Sequence, residues 1–206
     1  MVNRFTCNPR QLPSFVEKIR KKQMVPIIDN VSENGSNYKK NFKNIIHDLE
    51  TYPTSTFAIK LSSLNIRDPN HSKILISRQV SEIANLAEET GSKLIIDSEE
   101  LAINDSINEI TDEIMSQFNK HQVVVFKTYQ MYYRIDTTLM LLDDLKKERD
   151  YHIGCKLVRG AYYNQDVISG KLFWKIEDTH RCYNEGIQYF LENFKGRDQL
   201  LCATHN

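Results

Sequence analysis

Cysteine is scarce in this sequence, and its spacing excludes two common uses of the residue. The 206 residues contain four cysteines, Cys7, Cys155, Cys182 and Cys202. No two of them stand close enough for a zinc knuckle or a CxxC redox motif, so no metal site is predicted. Cys155 and Cys202 adjoin apolar runs, which favours small buried side chains over reactive thiols. A reducing compartment fits this usage best.

Two further absences narrow the class of protein. No apolar run approaches the ~20 residues that a membrane-spanning helix needs, so no transmembrane segment is predicted. Lysine plus arginine and aspartate plus glutamate both number 27, and a chain without net charge has no broad attraction to nucleic acid or anionic lipid. These features favour a protein that acts on small molecules or on other proteins, and they leave the oligomeric state open.

The first residues are basic but lack the apolar core of a secretory signal. A basic, acid-poor start is also typical of a mitochondrial targeting segment. Here Phe15, Ile19 and the pair Lys21 and Lys22 are better explained as the first amphipathic helix of the fold. We therefore expect a cytoplasmic protein, with a mitochondrial location as the alternative. Residues 1–23 are interpreted as an N-terminal segment with this helix, and residues 24–206 as the main domain.

What the sequence does contain is a repeated alternation of short apolar runs and longer helical stretches. Runs rich in valine, isoleucine and leucine predict strands at 26–29, 56–61, 93–97, 122–128, 154–158 and 200–204. Apolar residues that recur every three or four positions predict helices around 74–90, 103–118, 139–145 and 176–194. Strand–helix repeats with short connections indicate an α/β fold with a parallel sheet.

The choice between a barrel and a doubly wound sheet depends on a missing motif. No GxGxxG fingerprint follows the first strand, which weakens the case for a dinucleotide-binding sheet. We therefore predict a (β/α)8 TIM-barrel-like fold, incomplete, with about six βα units, the last of them only a strand. Functional residues of such a barrel are expected at the carboxyl ends of its strands.

Ionisable residues do follow five of the predicted strands at these ends: Lys60, Asp97, Lys127, Arg159 and His205. Charges in a barrel strand are costly unless they are paired or face a ligand. Two interpretations stay open. Lys60 and Asp97 form a buried structural ion pair, Lys127 is solvated and His205 is a core histidine, or all these groups converge on one functional rim.

Four short motifs resemble the proline dehydrogenase family. Lys-Leu-Val-Arg-Gly-Ala-Tyr at 156–162 resembles its strand-five motif, and Ala-Thr-His-Asn at 203–206 resembles its strand-six motif. Thr-Tyr-Gln-Met-Tyr at 128–132 and Ile-Asp-Ser-Glu-Glu at 96–100 are similar to its strand-four and strand-three motifs. The resemblance runs from about residue 12 to the last residue, so residues 24–206 are interpreted as a partial proline dehydrogenase barrel.

The resemblance implies a distorted (β/α)8 barrel that holds FAD and oxidises L-proline. The flavin N5 takes a hydride from the ring carbon next to nitrogen, the product is 1-pyrroline-5-carboxylate, and the electrons pass to a quinone. It also implies that Lys60 lies beside the flavin and the substrate carboxylate, and that Asp97 orients Lys60 and keeps it charged. These two residues are the expected catalytic pair.

The same resemblance implies a set of cofactor-binding residues: Lys127, Lys156, Val158, Gly160, Ala161, Tyr162, Thr179, Thr204, His205 and Asn206. Thr179 is expected near the adenylate half of FAD, and His205 is expected to donate a hydrogen bond rather than act as a base. Lys127 departs from the pattern, because relatives carry Gln or Asn there against the flavin pyrimidine. An amide both donates and accepts hydrogen bonds, whereas an ammonium group only donates.

The second departure concerns the last motif, at the mouth of strand six. Strands seven and eight and a final helix with an arginine pair for the proline carboxylate are expected in the family and do not follow Asn206. Alternatives to an active dehydrogenase are therefore a truncated remnant without catalysis that binds flavin or a partner, and an interaction module that pairs through open sheet edges.

Overall fold

The computed structural model describes residues 7–29, 37–67, 73–134 and 136–204. Within these ranges six strands form one parallel sheet, and each strand pairs with the next along the chain. They are β1 (Ile27–Asp29), β2 (Thr56–Ile59), β3 (Lys93–Ile96), β4 (Val125–Gln130), β5 (Gly154–Val158) and β6 (Gln199–Cys202). Parallel pairing in chain order is the arrangement of a (β/α) barrel.

Helices occupy the connections between the strands. They are α1 (Leu12–Arg20), α2 (Tyr38–Thr51), α3 (Lys73–Glu89), α4 (Leu101–Phe118), α5 (Asp136–Lys146), α6 (Tyr163–Asp166) and α7 (Ile176–Asn193). None of these described helices is long and apolar enough to cross a bilayer. The predicted fold class is confirmed: the described residues form part of a TIM-barrel-like α/β fold.

Neither α2 nor the one-turn α6 is predicted from the sequence. Helix α2 buries only Asn41, Ile45 and Leu49, a narrow stripe with a spacing of four that leaves most of the helix polar. The predicted strand at 122–128 lies at Val125–Gln130 instead. The cause is the Asn119 side chain, which takes the N–H groups of Val124 and Val125. Pairing with β3 therefore begins at Val125.

The two faces of the sheet bury different sets of side chains, because successive residues of a strand point to opposite sides. The outer face carries Phe57, Ile59, Leu94, Ile96, Val125 and Leu157 into the main core, which the helices cover. Helices α3 and α4 contribute Val80, Ile83, Ile110 and Ile114, all fully buried. Burial of each such side chain stabilises the fold by roughly 1.5–3 kcal/mol.

The inner face is smaller and sits on a curved sheet. Ala58, Ile95 and Phe126 form a separate cluster there, with Leu201 packed against it. The sheet curls far enough for the Lys93 side chain, on β3, to donate a hydrogen bond to Gln199, on β6, three strands away. This contact joins the amino ends of β3 and β6 across the concave face of a half-barrel. The carboxyl ends of the strands lie at the opposite end.

Asn119 is the polar centre of the α4–β4 connection, and its removal gives the first prediction. Its fully buried carboxamide accepts from Val124 and Val125 at 2.9 and 2.8 Å and donates to the carbonyls of Val125 and His152 at 2.8 and 2.9 Å. Asn119→Ala leaves these buried groups unpaired and should lower the free energy of unfolding by about 2–4 kcal/mol, measured by urea denaturation.

Asn85→Ala is the matched control for this substitution. Asn85 is exposed on α3, and its amide donates to Glu89 of the same helix. Its loss should change stability by less than about 0.5 kcal/mol. An Asn119→Ala protein as stable as the Asn85→Ala protein would contradict the role assigned to Asn119.

Candidate functional site

The carboxyl ends of the strands surround an open cleft of about 620 Å³. This volume is typical of sites for small molecules and cofactors. Every strand contributes to its wall, through residues at its end or just after it: Asp29, Lys60, Asp97, Ser98, Thr128, Gln130, Lys156, Val158, Ala203 and Thr204. Polar and charged residues therefore gather at the end of the barrel where functional groups are expected.

Four charged side chains lie together in the cleft. Lys156 Nζ is 2.6 Å from Asp97 Oδ1, and Lys60 Nζ is 3.7 Å from Asp29 Oδ2. The hydroxyl of Thr128 donates to Asp97 Oδ1 at 3.3 Å. Burial raises the pKa of Asp29, and the nearby Lys60 opposes this shift. Two cations and two carboxylates make a charge-balanced cluster, which we call the cleft cluster.

The cleft cluster contains both residues of the expected catalytic pair, Lys60 and Asp97. The carboxylate of Asp97 lies against Lys156, and Asp29 lies beside Lys60. The expected orientation of Lys60 by Asp97 stays a prediction. The sequence analysis does not name Asp29 as a site residue. The signal for it is present, because Asp29 is the charged residue at the end of the first predicted strand, in the same position as Asp97 at the end of the third.

Gln130 connects the loops that follow β3 and β5. Its amide nitrogen donates to Ser98 Oγ at 3.0 Å and to the Glu99 carbonyl at 2.8 Å. Its amide oxygen accepts from the Ala161 N–H at 3.1 Å. The side chain is buried, and both the nitrogen and the oxygen of its amide form hydrogen bonds. Gln130 therefore fixes the backbone of two cleft-lining loops relative to each other.

A buried carboxylate holds the loop after β5 in place. Asp166 Oδ2 accepts from the hydroxyls of Tyr132 and Tyr133, both at 2.6 Å, and Oδ1 accepts from the Leu101 N–H at 2.9 Å. Burial raises the pKa of both tyrosines, and the bonds to Asp166 raise it further. Both phenols therefore stay protonated as donors. The Tyr132 ring in turn lies under Gly160.

Gly160 has a backbone conformation that requires glycine at this position. Its φ is +138°, and a Cβ there would lie 2.4 Å from the Tyr132 ring. Only glycine adopts this conformation readily and leaves room for the ring. The exposed backbone at Gly160 therefore lies in the cleft wall without a side chain above it.

A second cavity of about 340 Å³ adjoins the cleft. Arg159 and Gly160 line both spaces. The remaining walls of the second cavity are mainly aromatic and apolar: Tyr132, Tyr163, Leu172, Phe173, Trp174, Lys175, Ile176 and Thr179. Thr179, expected near the adenylate half of FAD, lies here and not in the cleft.

The structure brings together most of the residues that the sequence analysis names. Lys60, Asp97, Lys156, Val158, Gly160, Ala161, Tyr162 and Thr204 line the cleft, and Thr179 lines the second cavity. His205 and Asn206 lie outside the described residues. Thr128, Gln130, Gln165 and His180 also line the cleft, although no sequence pattern singles them out as site residues.

Among the named residues that the structure describes, Lys127 lines neither space. Its ammonium group is buried on the outer face, 2.8 Å from Asp112 Oδ1 and 2.9 Å from Asp144 Oδ2. The expected contact with the flavin is therefore corrected. Side chains alternate along β4, so Thr128 and Gln130 face the cleft while Lys127 and Tyr129 face the helices. The amide that does face the cleft is that of Gln130.

The outer contacts of Lys127 form a network between α4 and α5. Tyr129 donates to Asp144 Oδ2 at 2.8 Å, and Lys147 donates to Asp144 Oδ1 at 3.0 Å. Burial alone would raise the pKa of Asp144, but Lys127 and these donors outweigh it and lower the pKa. Asp112 has fewer donors, and burial raises its pKa despite Lys127. The network therefore pairs Lys127, whose side chain is 2% exposed, with the carboxylates of Asp112 and Asp144.

The fold and the cleft define a TIM-barrel-like α/β protein with a polar cleft at the carboxyl ends of its strands. The sequence pattern of the proline dehydrogenase family matches residues 15–206. The chain belongs to the proline dehydrogenase family.

Curated relatives share part of their length with this chain. It is 30% identical over 132 residues to proline dehydrogenase 1, mitochondrial, of Bos taurus and 34% identical over 141 residues to that of Caenorhabditis elegans. It is 29% identical over 140 residues to hydroxyproline dehydrogenase of Xenopus laevis. Each match covers 63% of this chain, but only 22%, 23% and 30% of the respective relative.

Solved structures share the fold at low identity. A proline utilization A protein from Bdellovibrio bacteriovorus, inactivated by N-propargylglycine, matches 97% of this chain with a TM-score of 0.83 and 16% identity. A proline utilization A variant from Bradyrhizobium japonicum matches 87% with a TM-score of 0.74 and 18% identity. The chain corresponds to 25% and 21% of those two proteins.

The position of Lys127 leads to a stability prediction. Lys127→Met leaves Asp112 and Asp144 without their shared cation and should lower the free energy of unfolding by about 3 kcal/mol, because breaking a buried ion pair strands the remaining charge. Urea denaturation measures the loss. Lys120→Met is the control, since Lys120 pairs with Asp150 at the surface, and its effect should stay below about 1 kcal/mol. Equal stability of the two variants would refute the buried network.

Proposed function

We propose that this chain forms the cofactor- and substrate-binding part of an FAD-dependent proline dehydrogenase. The reaction is oxidation of L-proline to 1-pyrroline-5-carboxylate, with a quinone as electron acceptor. Membership of the family supports the reaction, because the family pattern matches nearly the whole chain. The observation that carries the proposal is the cleft cluster, which places two cations and two carboxylates at the ligand end of the barrel.

The cleft cluster suits a zwitterionic amino acid. Lys60 offers an ammonium group to the substrate carboxylate. The carboxylates of Asp29 and Asp97 balance the positive charges of Lys60 and Lys156. In this proposal Lys60 and Asp97 are the catalytic pair. Asp97 also positions Lys156, with which it forms an ion pair. Asp29 joins them as a substrate-binding residue.

The chemistry of the remaining wall fits FAD. Val158, Ala161 and Tyr162 give an apolar surface suited to a flat ring system, and Lys156 and Thr128 stand beside it. Lys156 suits an electron-rich ring because its positive charge stabilises added electron density. When bound, FAD supplies the oxidant that accepts at N5 the hydride leaving the proline ring carbon next to nitrogen. Lys156, Val158, Gly160, Ala161, Tyr162, Thr179, Thr204, His205 and Asn206 remain the proposed cofactor-binding residues.

A second candidate is binding of flavin or of a partner without turnover. In the described residues β1 and β6 each pair with one neighbouring strand only. Ile27, on the inner face of β1, is 52% exposed. An apolar side chain at an edge strand favours pairing with further strands, of this protein or of a partner.

We infer the compartment from the relatives. The bovine and nematode relatives are named mitochondrial, which supports the mitochondrial alternative over the cytoplasmic expectation. The division into an N-terminal segment at 1–23 and a barrel at 24–206 stays a prediction.

The colour of the purified protein tests the proposed function. A flavin absorbance band after loading with FAD is expected if the site binds the cofactor, and anaerobic L-proline should bleach that band if turnover occurs. Hydroxyproline in a parallel cuvette separates the two substrates. A coloured protein that proline leaves unchanged would support binding without turnover, and a colourless protein would overturn the FAD site.

Lys60→Ala tests the catalytic assignment. The variant should slow proline-dependent bleaching by at least about tenfold, because a charge-assisted bond to the substrate carboxylate is lost. Flavin colour should persist, since the proposed flavin wall does not include Lys60. Lys120→Ala removes an exposed lysine far from the cleft and should bleach at the normal rate. Unchanged bleaching in the Lys60→Ala protein would remove Lys60 from the catalytic pair.

A further inference from the structure

Arg159 and His180 form a pair at the junction of the cleft and the second cavity. The Nε–H of Arg159 donates to His180 Nδ1 at 2.9 Å. The same guanidinium donates from Nη1 to Thr204 Oγ1 at 2.6 Å and lies 4.3 Å above the Tyr183 ring. Contacts with α7 and with the residues that follow β6 therefore hold the Arg159 side chain in one place.

This hydrogen bond determines the tautomer of His180. An arginine Nε carries one hydrogen and has no acceptor capacity, so Nδ1 of the imidazole must be the acceptor. A neutral imidazole then carries its proton on Nε2. Among the described residues none forms a hydrogen bond with Nε2 of His180. His180 lines the cleft, so the ring presents a donor to whatever the cleft binds.

The place of this pair between the two cavities indicates which part of a ligand it meets. Arg159 and Gly160 line both spaces, and the Gly160 backbone is exposed without a side chain. A ligand with two ring systems, one in each cavity, must pass its linker over Gly160. A linker carrying phosphate oxygens would meet the positive charge of Arg159 and the donor of His180 there.

We propose that His180 is a further ligand-binding residue of this protein, whose Nε2–H donates a hydrogen bond to the diphosphate that joins the two halves of FAD. Arg159 is its positioning residue, because the bond to Nδ1 sets both the tautomer and the ring orientation. This inference rests on the proposed function, since it takes FAD as the occupant of the cleft. It adds a second contact from α7, beside that proposed for Thr179, to those from the strand ends.

The alternative role of His180 is to anchor Arg159, and two amide substitutions separate the roles. In His180→Gln the amide nitrogen reaches the position of Nε2 and restores the donor. In His180→Asn the amide oxygen reaches only the position of Nδ1 and restores the acceptor for Arg159. His180→Ala removes both groups.

Titration of the FAD-free full chain with FAD, followed by flavin fluorescence, measures the effect. His180→Ala and His180→Asn should raise the Kd about tenfold, in line with loss of one bond to a charged group, and His180→Gln should stay within about threefold of the unsubstituted protein. Urea denaturation of each variant shows that it is folded. Rescue by Asn but not by Gln, equal loss in all three, or no loss in any would overturn the proposal.

The tautomer has its own measurement, which does not depend on FAD. Imidazole ¹⁵N spectra of the free protein should show His180 as the Nε2–H form, and Arg159→Met should convert it to a mixture of forms. An Nδ1–H form in the unsubstituted protein would overturn the proposed geometry. Absence of FAD binding by the unsubstituted protein would overturn the proposed cofactor and the ligand assigned to His180 together, whereas binding that His180→Ala leaves unchanged would overturn only the role of His180.

Discussion

The alternation of side chains along six parallel strands is the constraint on which the rest of this structure depends. Each strand sends one set of side chains to the helices and the other to the concave face. A residue next to a functional one therefore faces away from the site. Lys127 and Thr128 are neighbours in sequence, yet one is buried among helices and the other binds Asp97 in the cleft.

Charge is distributed over both faces of the sheet in two separate groups. On the outer face Lys127 is enclosed by Asp112 and Asp144, which satisfies a buried ammonium group between two helices. On the inner face the cleft cluster is partly open to solvent and lies at the ends of the strands. The physical difference is accessibility: a buried pair stabilises the position of the helices, whereas an accessible, balanced cluster is able to exchange its partners for those of a ligand.

Polar side chains from β4 and α6 hold the loops that surround the cleft. Gln130 joins the loops after β3 and β5, and Asp166 joins the turn after β4 to the start of α4. These bonds are buried. The pKa values of Tyr132 and Tyr133 are raised, so both hydroxyls remain protonated as donors to Asp166. They give the exposed backbone at Gly160 a defined position between the two cavities, which is the preorganisation that a binding site requires.

The sequence by itself determined the class of fold, the order of the strands and half of the residues that line the cleft. Apolar runs mark buried parallel strands, and the charged residues that follow them must lie at one end of the barrel. The sequence could not decide which charges pair, because Asp29, Lys60, Asp97 and Lys156 come from four different strands and meet only through the curl of the sheet. It also could not decide the face of Lys127, since a shift of β4 by one residue exchanges the two faces and Asn119 sets where that strand begins. The contact of Arg159 with His180 joins the loop after β5 to α7 across 21 positions, and only tertiary packing brings them together.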